Sequence, residues 1–399
     1  MKKKILIMHD VYEHVGGAET YIFEIIPELK KEFDVCTLFQ SFETEKNGER
    51  DLVYKNKKLP KIKKYFSYYV FDIRFYNFLK KKLKEINPDL IHIHHNNLHP
   101  FPVLNLVKEY KTIQTVHDYG IICPKNIAVY GNNNFCVSSG INCIKQKCLS
   151  IKDLIFLIPF KIKQSLMKKR IDLIIAPSTK LKESLIQNDF TRVKVLNYFI
   201  DLSKWKKISK SEVYSAEKEK KILFVGGLTK HKGAHVLIEA ISKIPQEIQK
   251  SIHLQIIGKG NYEKELKKQV KDSDIHAKVS FLGYKNNNEL PKFYSKAYMM
   301  VMPSTWTEQF GIIGLEAMAC STPCIGSNIG GIPEWLTDKK NGLLFEPGNS
   351  SDLKEKIIFL LKNPKIAEKY GKNGRKIAED KFSKKEHIKE LIKIYKELI

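Results

Sequence analysis

PSTWTEQFGIIGLEAMACSTPCIGS, residues 303 to 327, sets two glutamates, Glu308 and Glu316, in a stretch otherwise apolar enough to be core. Carboxylates are rarely buried unless something pairs with them. The preceding MMVM (299–302) reads as a buried strand, STWTEQ as a loop, and GIIGLEAMA as a helix opening at Gly311. A helix N-terminus that follows a parallel strand presents unpaired N–H groups and the positive end of a dipole, which together suit an anion. Phe310, Gly311 and Ile312 would offer those donors, with Gly311 letting a ligand approach the backbone. Glu308 precedes the helix and Glu316 lies over one turn inside it. That spacing allows one carboxylate near a sugar and the other near a ribose, each accepting from paired hydroxyls. On spacing alone, a helix-terminal acid (Glu308) and a solvated acid (Glu316) are the competing reading.

Outward from this segment, short apolar runs alternate with helix-period stretches, the pattern of βαβ units on parallel sheets. KILIM (4–8), DVCTL (34–38), DLIHI (89–93), TIQTV (112–116), DLIIA (172–176) and VKVL (193–196) read as strands of a first half. Helices are expected around 68–86, 151–170 and 178–187. The Lys-rich stretch 203–221 reads as a hinge or surface linker. The pattern then restarts with KILFV (221–225), Gly226-Gly227 and a helix from about Gly233, followed by strands at HLQII (253–257), KVSF (278–281), MMVM and PCIG (323–326). Two halves that each open strand, Gly-Gly, helix predict twin Rossmann-like domains. The expected division is 1–202, 203–382, and a last helix at 383–399 packing back on the first domain.

With 399 residues the chain is too long for one ordinary core, and its hydrophobic content of 43% excludes wholesale disorder. No window approaches the roughly 18 apolar residues of a spanning helix, so a cytoplasmic protein, soluble or peripheral, is expected. The net charge of +25 is uneven: residues 55–84 carry 11 basic residues against one acid, and 152–170 carry six against one. A basic surface implies an anionic partner such as nucleic acid, anionic lipid or a phosphorylated substrate. No nucleic-acid motif accompanies the charge.

The segment EQFGIIGLE, with the surrounding MPSTWTEQFGIIGLEAMACSTPCIGSNIGGIPEWLTDKKNGLLFEPGN, resembles the E-x7-E region of the retaining, family 4 nucleotide-sugar glycosyltransferases of the GT-B fold. The resemblance covers nearly the whole chain and is strongest over 221–350. It implies an α/β fold of two Rossmann-like parallel-sheet domains facing across a cleft. It also implies that Glu308 bonds the donor sugar, that the 310–312 backbone meets sugar or phosphate, and that Glu316 binds the ribose. FVGGLTKHKG (224–233) is similar to the family's diphosphate clamp: Lys232 and Gly233 are kept, but Gly227 stands where an arginine is common. That leaves Lys232, with Lys230 as a possible helper, to neutralise the leaving group; an exposed helix-start lysine is the plainer reading.

By the same resemblance, IIGKGN (256–261, with Gly258 and Gly260) and FLGY (281–284, with Gly283 and Tyr284) border the base, although each alone is ordinary turn chemistry. HVGGAET (14–20) fits the first glycine-rich loop, with Gly16 and Gly17, and would otherwise be a tight strand-to-helix turn. His117, in TVHDYG, is implied as a contact to the donor sugar; a lone histidine is more often structural. Catalysis is expected to need no metal cofactor, with Lys232 and helix N-termini stabilising the departing diphosphate.

Four of the seven cysteines, Cys123, Cys136, Cys143 and Cys148, crowd the polar loop 123–148. Three readings stand: a structural Zn²⁺ clip, thiols with no shared ligand, or redox-dependent disulfides. Cys320 and Cys324 read as packing residues. Residues 63–86 and 152–170 interleave lysines with aromatic or aliphatic residues, as suits an anionic membrane interface, or as ordinary amphipathic helices do. The expected function is transfer of a sugar from a UDP- or GDP-sugar donor to a saccharide or lipid-linked acceptor, in cell-surface polysaccharide or glycolipid synthesis. Alternatives are another GT-B chemistry, such as nucleotide-sugar epimerisation or phosphorolysis, and a basic nucleic-acid-binding protein.

Overall fold

The computed structural model describes residues 2–10, 12, 16–41, 46–47, 50–55, 72–95, 97, 100–124, 129–130, 134–136, 142–145, 148–149, 154–205 and 219–399. Expectations for residues 63–71, 152–153 and 206–218 fall outside them, as does most of the cysteine-rich loop between its four thiols. The chain forms two compact units, one of residues 1–132, 136–197 and 387–399, the other of 133–135 and 198–386.

The first unit is built on strands β1 (Lys4–His9), β2 (Asp34–Ser41), β3 (Lys46–Asn47), β4 (Asp51–Lys55), β5 (Leu90–Ile93) and β6 (Lys111–Thr115). Next in the chain come the short strands β7 (Val129–Tyr130) and β8 (Asn134–Phe135), the latter counted with the second unit, and then β9 (Leu173–Ala176) and β10 (Val193–Val195) of the first. The sheet order is β10-β9-β6-β5-β1-β2-β4-β3, with every pairing parallel except β3 with β4. Strands buried on both faces need continuous apolar runs rather than alternation, and β1 supplies one: Ile5, Leu6 and Ile7 are fully buried. Helix α1 (Gly17–Glu32) follows β1 directly; α2 (Ile73–Ile86), capped by Asp72, and α3 (Leu154–Arg170) supply other cover. The C-terminal helix α4 (Lys384–Leu398) places His387, Leu391 and Tyr395 in this unit's interior, where Tyr395 Oη lies 2.5 Å from His92 Nδ1.

In the second unit, β11 (Lys220–Val225), β12 (Ile252–Ile257), β13 (Lys278–Phe281), β14 (Met299–Met302), β15 (Cys324–Ser327) and β16 (Gly342–Phe345) form a sheet of order β13-β12-β11-β14-β15-β16. All its pairings are parallel. Counted from β11, the order is 3-2-1-4-5-6, the doubly wound arrangement whose direction of winding reverses between its first and fourth strands. Ligands of such sheets bind beyond the carboxyl ends of the strands at that reversal. Here it lies between β11 and β14, so the loops at 226–233 and 303–311 are the ones to inspect.

Candidate active site

Those two loops meet. Lys232, in the turn after β11, points its Nζ at both oxygens of Glu308, in the loop after β14, at 2.8 and 3.0 Å. Ser304 Oγ and Trp306 Nε1 donate to the same carboxylate at 2.6 and 2.8 Å, and the lysine ammonium lies 5.0 Å over the Trp306 ring. Burial alone would raise the Glu308 pKa, but the Lys232 charge and the three donors outweigh it and hold the carboxyl below its ordinary value. The glutamate side chain is 4% exposed and that of the lysine 28%, so the pair is sealed on the acid's side and open on the base's.

Backbone chemistry fixes this meeting. Gly233 sits at φ +76°, and a Cβ there would lie 1.7 Å from the Pro303 carbonyl oxygen, so only glycine lets the two loops touch. Thr305 N donates to the His231 carbonyl at 2.9 Å, a second tie between them. From below, Gly331 N donates to Glu308 O at 2.8 Å and Trp335 Nε1 to Phe310 O at 2.8 Å. Gly311, at φ +94°, turns the chain into helix α5 (Ile312–Ala319), whose first N–H groups have no intrahelical acceptor. The Phe310 side chain is buried against Tyr198 and Phe382, so it is the backbone at 310–312 that can face a ligand.

Glu316, one turn into α5, is half-buried and accepts a hydrogen bond from Tyr294 Oη at 2.8 Å. Burial pushes its carboxyl up to about 7, and the tyrosine only partly opposes that. It is therefore not the solvated acid of the plainer reading. The second glycine-rich turn knits to the first: Gly226 N donates to Ile257 O at 3.0 Å and Leu228 N to Lys259 O at 2.9 Å. Gly258 N donates to Gly283 O at 2.9 Å, while Tyr284 is 60% exposed and Gly227 and Gly283 border open space.

His117 belongs to the first unit, just past the end of β6, and what surrounds it was not legible in the motif. His94 Nδ1 lies 3.0 Å from His117 Nε2 with the rings stacked, and His9, His92 and His95 complete a run of imidazoles around the ends of β1 and β5. Burial, then the neighbouring histidines, hold His117 well below its ordinary pKa, so it is neutral. Gly16 caps α1, and Glu19, two residues past Gly17, is buried 3.0 Å from His9 Nε2. Sequence reasoning passed over Glu19 and the HIHH run at 92–95; the run's composition was the available signal. Cys143 is buried and Cys123, Cys136 and Cys148 partly so; among the described residues no three of these thiols gather into a metal-holding group. Cys320 and Cys324 are buried in packing positions.

The two units match two family descriptions in succession: "Glycosyltransferase Family 4" over residues 15–204 and "Glycosyl transferases group 1" over residues 206–377. The chain belongs to the group 1/family 4 glycosyltransferases. An uncharacterized glycosyltransferase of Methanocaldococcus jannaschii is 29% identical over 99% of this chain and 98% of its own length. The N-acetyl-alpha-D-glucosaminyl L-malate synthase of Bacillus anthracis is 29% identical over 48% of this chain and 49% of its own. Among solved structures, sucrose-phosphate synthase from Thermosynechococcus elongatus superposes with a TM-score of 0.76 at 19% identity, over 100% of this chain and 99% of that one. HepE from Anabaena, solved with UDP, superposes at 0.74 and 19%, over 99% and 100%. At these identities the likeness establishes the fold, that of the GT-B glycosyltransferases with two parallel-sheet α/β domains. Among the described residues no helix is long and apolar enough to cross a membrane.

Proposed function

We propose that this glycosyltransferase takes a sugar from a nucleotide-diphospho-sugar and transfers it, with retention of anomeric configuration, to a saccharide or lipid-linked saccharide acceptor. The observation that carries the reading is the Lys232–Glu308 pair at the sheet's winding reversal, beside the first turn of α5. A buried carboxylate matched by one partly exposed lysine leaves that lysine's outer side for an anion. The α5 amides add fixed positive potential at the same place. Together they can stabilise a departing diphosphate without recruiting a divalent ion. Glu308 then serves the sugar hydroxyls and Glu316 the ribose. The UDP and UDP-glucose complexes of the HepE neighbour support a uridine donor as the first to test.

The acceptor reading draws support from α3, where Ile158 and Ile162, one turn apart, are 68% and 48% exposed beside Lys161 and Lys169. An exposed apolar and basic helix face suits an acceptor presented at an anionic membrane surface. UDP-, GDP- and other nucleotide-sugars should be screened for thermal stabilisation, since a ligand at about 100 times its Kd adds ~2.7 kcal/mol. The stabilising donor should then be incubated with and without saccharide acceptors, and the products read for anomeric configuration. Absence of stabilisation by any nucleotide-sugar, or conversion of the donor without an acceptor, would remove the reading.

A further inference from the structure

We propose that His9, Glu19 and His95 form a binding site for one divalent transition-metal cation of the zinc class. The three side chains come from separate elements of the first unit: the last residue of β1, the first turn of α1, and the segment just after β5. One ligand atom from each lies within 4.8 Å of the others, and they are the one such group among the described residues. In the sheet order, β1 and β5 are neighbours and the winding reverses between them, so the cluster occupies the position where doubly wound sheets hold ligands.

The donor set has the right chemistry. Two imidazoles and a carboxylate are borderline N and O ligands, the mixture zinc and its neighbours favour over magnesium or calcium. Three protein ligands leave a fourth position for water. His9 Nε2 and Glu19 Oε1 are 3.0 Å apart. Two ligands about 2.1 Å from a tetrahedral ion are roughly 3.4 Å apart, so small rotations would admit one. His95 Nε2 also lies 3.8 Å from Asp118 Oδ2, which puts a second carboxylate beside the group.

A plain His9–Glu19 hydrogen bond accounts for one contact and leaves the rest unexplained. His9, 2% exposed, has a buried Nδ1 with no hydrogen-bond partner, and His95 Nε2 is likewise buried and unpartnered. Leaving such a nitrogen buried and unsatisfied is unfavourable; coordination at His95 would remove that cost. The surrounding charge also favours a cation. Among the described residues, Asp10 and Asp118 face the cluster and add to the charge of Glu19 within it, against one ammonium, Lys163, which is held by Asn97 Oδ1 at 2.7 Å. The site does not depend on the donor reading: that reading is carried by Lys232, Glu308 and Glu316 of the second unit, and His117, the implied sugar contact of the first unit, meets His95 edge-on without being one of the three ligands.

Cobalt titration of the full-length, chelator-stripped protein tests this. The expected result is one equivalent of Co²⁺ bound with visible d–d absorption and no thiolate-to-cobalt charge-transfer band. His95→Ala and Glu19→Gln should each weaken Co²⁺ about 100-fold, and Zn²⁺ should raise the melting temperature of the parent but not of either variant. His95 is partly exposed and Glu19→Gln keeps the shape of the buried side chain, so if His95→Ala fails to fold, Glu19→Gln decides. Absence of a stoichiometric cobalt spectrum, equal affinity in the folded variants, or a charge-transfer band that assigns the ion to the cysteines would each overturn the proposal.

Discussion

Lys232 and Glu308, 76 residues apart in sequence, satisfy one another across two loops at 2.8 and 3.0 Å. The lysine is thus both a structural counter-ion and the free side of an anion site, and these roles predict different mutational signatures. Lys232→Ala strands a buried carboxylate, which costs about 3–5 kcal/mol when no other donor helps. Ser304 and Trp306 still donate here, so about 2–3 kcal/mol is expected, read as a fall in denaturation midpoint. Glu308→Gln leaves a lysine that reaches water and should cost about 1 kcal/mol. The double variant should be more stable than the sum of the two predicts. In turnover, Glu308→Gln should lower kcat at least about tenfold while UDP affinity barely moves, because uniform binding is untouched. Additive stability losses would separate the pair energetically and undo the argument.

Glu316 supplies a pH signature. Its carboxyl stands at about 7 because burial disfavours the charge. A folded pKa raised above the unfolded value of about 4.3 means the folded chain holds a proton the unfolded chain has released, so this group's contribution falls as pH rises from about 4.3 to 7. Glu316→Gln, neutral throughout, should therefore gain stability relative to the parent at pH 8 and not at pH 4. Ribose hydroxyls need the ionised acceptor. Nucleotide affinity in the parent should accordingly tighten by up to about tenfold per unit below pH 7 and level off above it. Calorimetric titration of UDP at pH 6, 7 and 8 checks this, and the Gln variant should bind weakly with no pH dependence. A flat profile in the parent would remove Glu316 from the ribose.

Most of this was legible in sequence for one physical reason: in parallel sheets buried on both faces, strands are apolar runs, and ILFV (222–225) and MMVM (299–302) announce themselves, while the partly exposed edge strand KVSF carries a weaker signal. What was missed follows from the same rule. DLVYK at 51–55 carries charge at both ends, and GLLF at 342–345 is only four residues long and opens on a glycine that reads as part of the preceding turn, so neither stands out from loop. Partners within the site were less accessible still. Ser304 and Trp306 reach Glu308 only because the 303–311 loop curls back on itself, and Tyr294 meets Glu316 across two helices. The pairing of Glu19 with His9 sets the first turn of α1 against the last residue of β1, a closeness that spacing cannot reveal.

Gly233 offers a test of the loop junction free of charge effects. Its φ of +76° disfavours any L side chain, and the Cβ of an alanine would collide with the Pro303 backbone 1.7 Å away. Strain of this kind costs about 1–3 kcal/mol, and the backbone overlap adds to it. Gly233→Ala should lose about 3 kcal/mol or more and weaken donor binding as the Lys232 turn withdraws. Gly227→Ala, where nothing lies within 4 Å, should leave stability within about 0.5 kcal/mol of the parent. Equal stability in both variants would contradict the contact.

The first unit should be acid-labile because of its buried histidines. His92 bonds Tyr395 Oη through Nδ1 and Thr115 Oγ1 through Nε2, at 2.5 and 2.8 Å, and is wholly buried, so an imidazolium there would be desolvated. Burial depresses it to about 3, and it depresses His387, beside Tyr21 and the Asn197 carbonyl, to about 4. A folded pKa below the unfolded value of about 6.5 gives stability that is complete above that pH and drains away as pH falls toward the folded value. Each such histidine steepens the loss by up to ~1.4 kcal/mol per pH unit. Urea unfolding between pH 7 and 4 should show that slope. His92→Gln, which keeps a donor and an acceptor but no titrating proton, should be less stable at pH 7 yet lose less on acidification. If the variant and the parent lose stability in parallel between pH 6.5 and 4, His92 is not one of the groups whose protonation opens this unit.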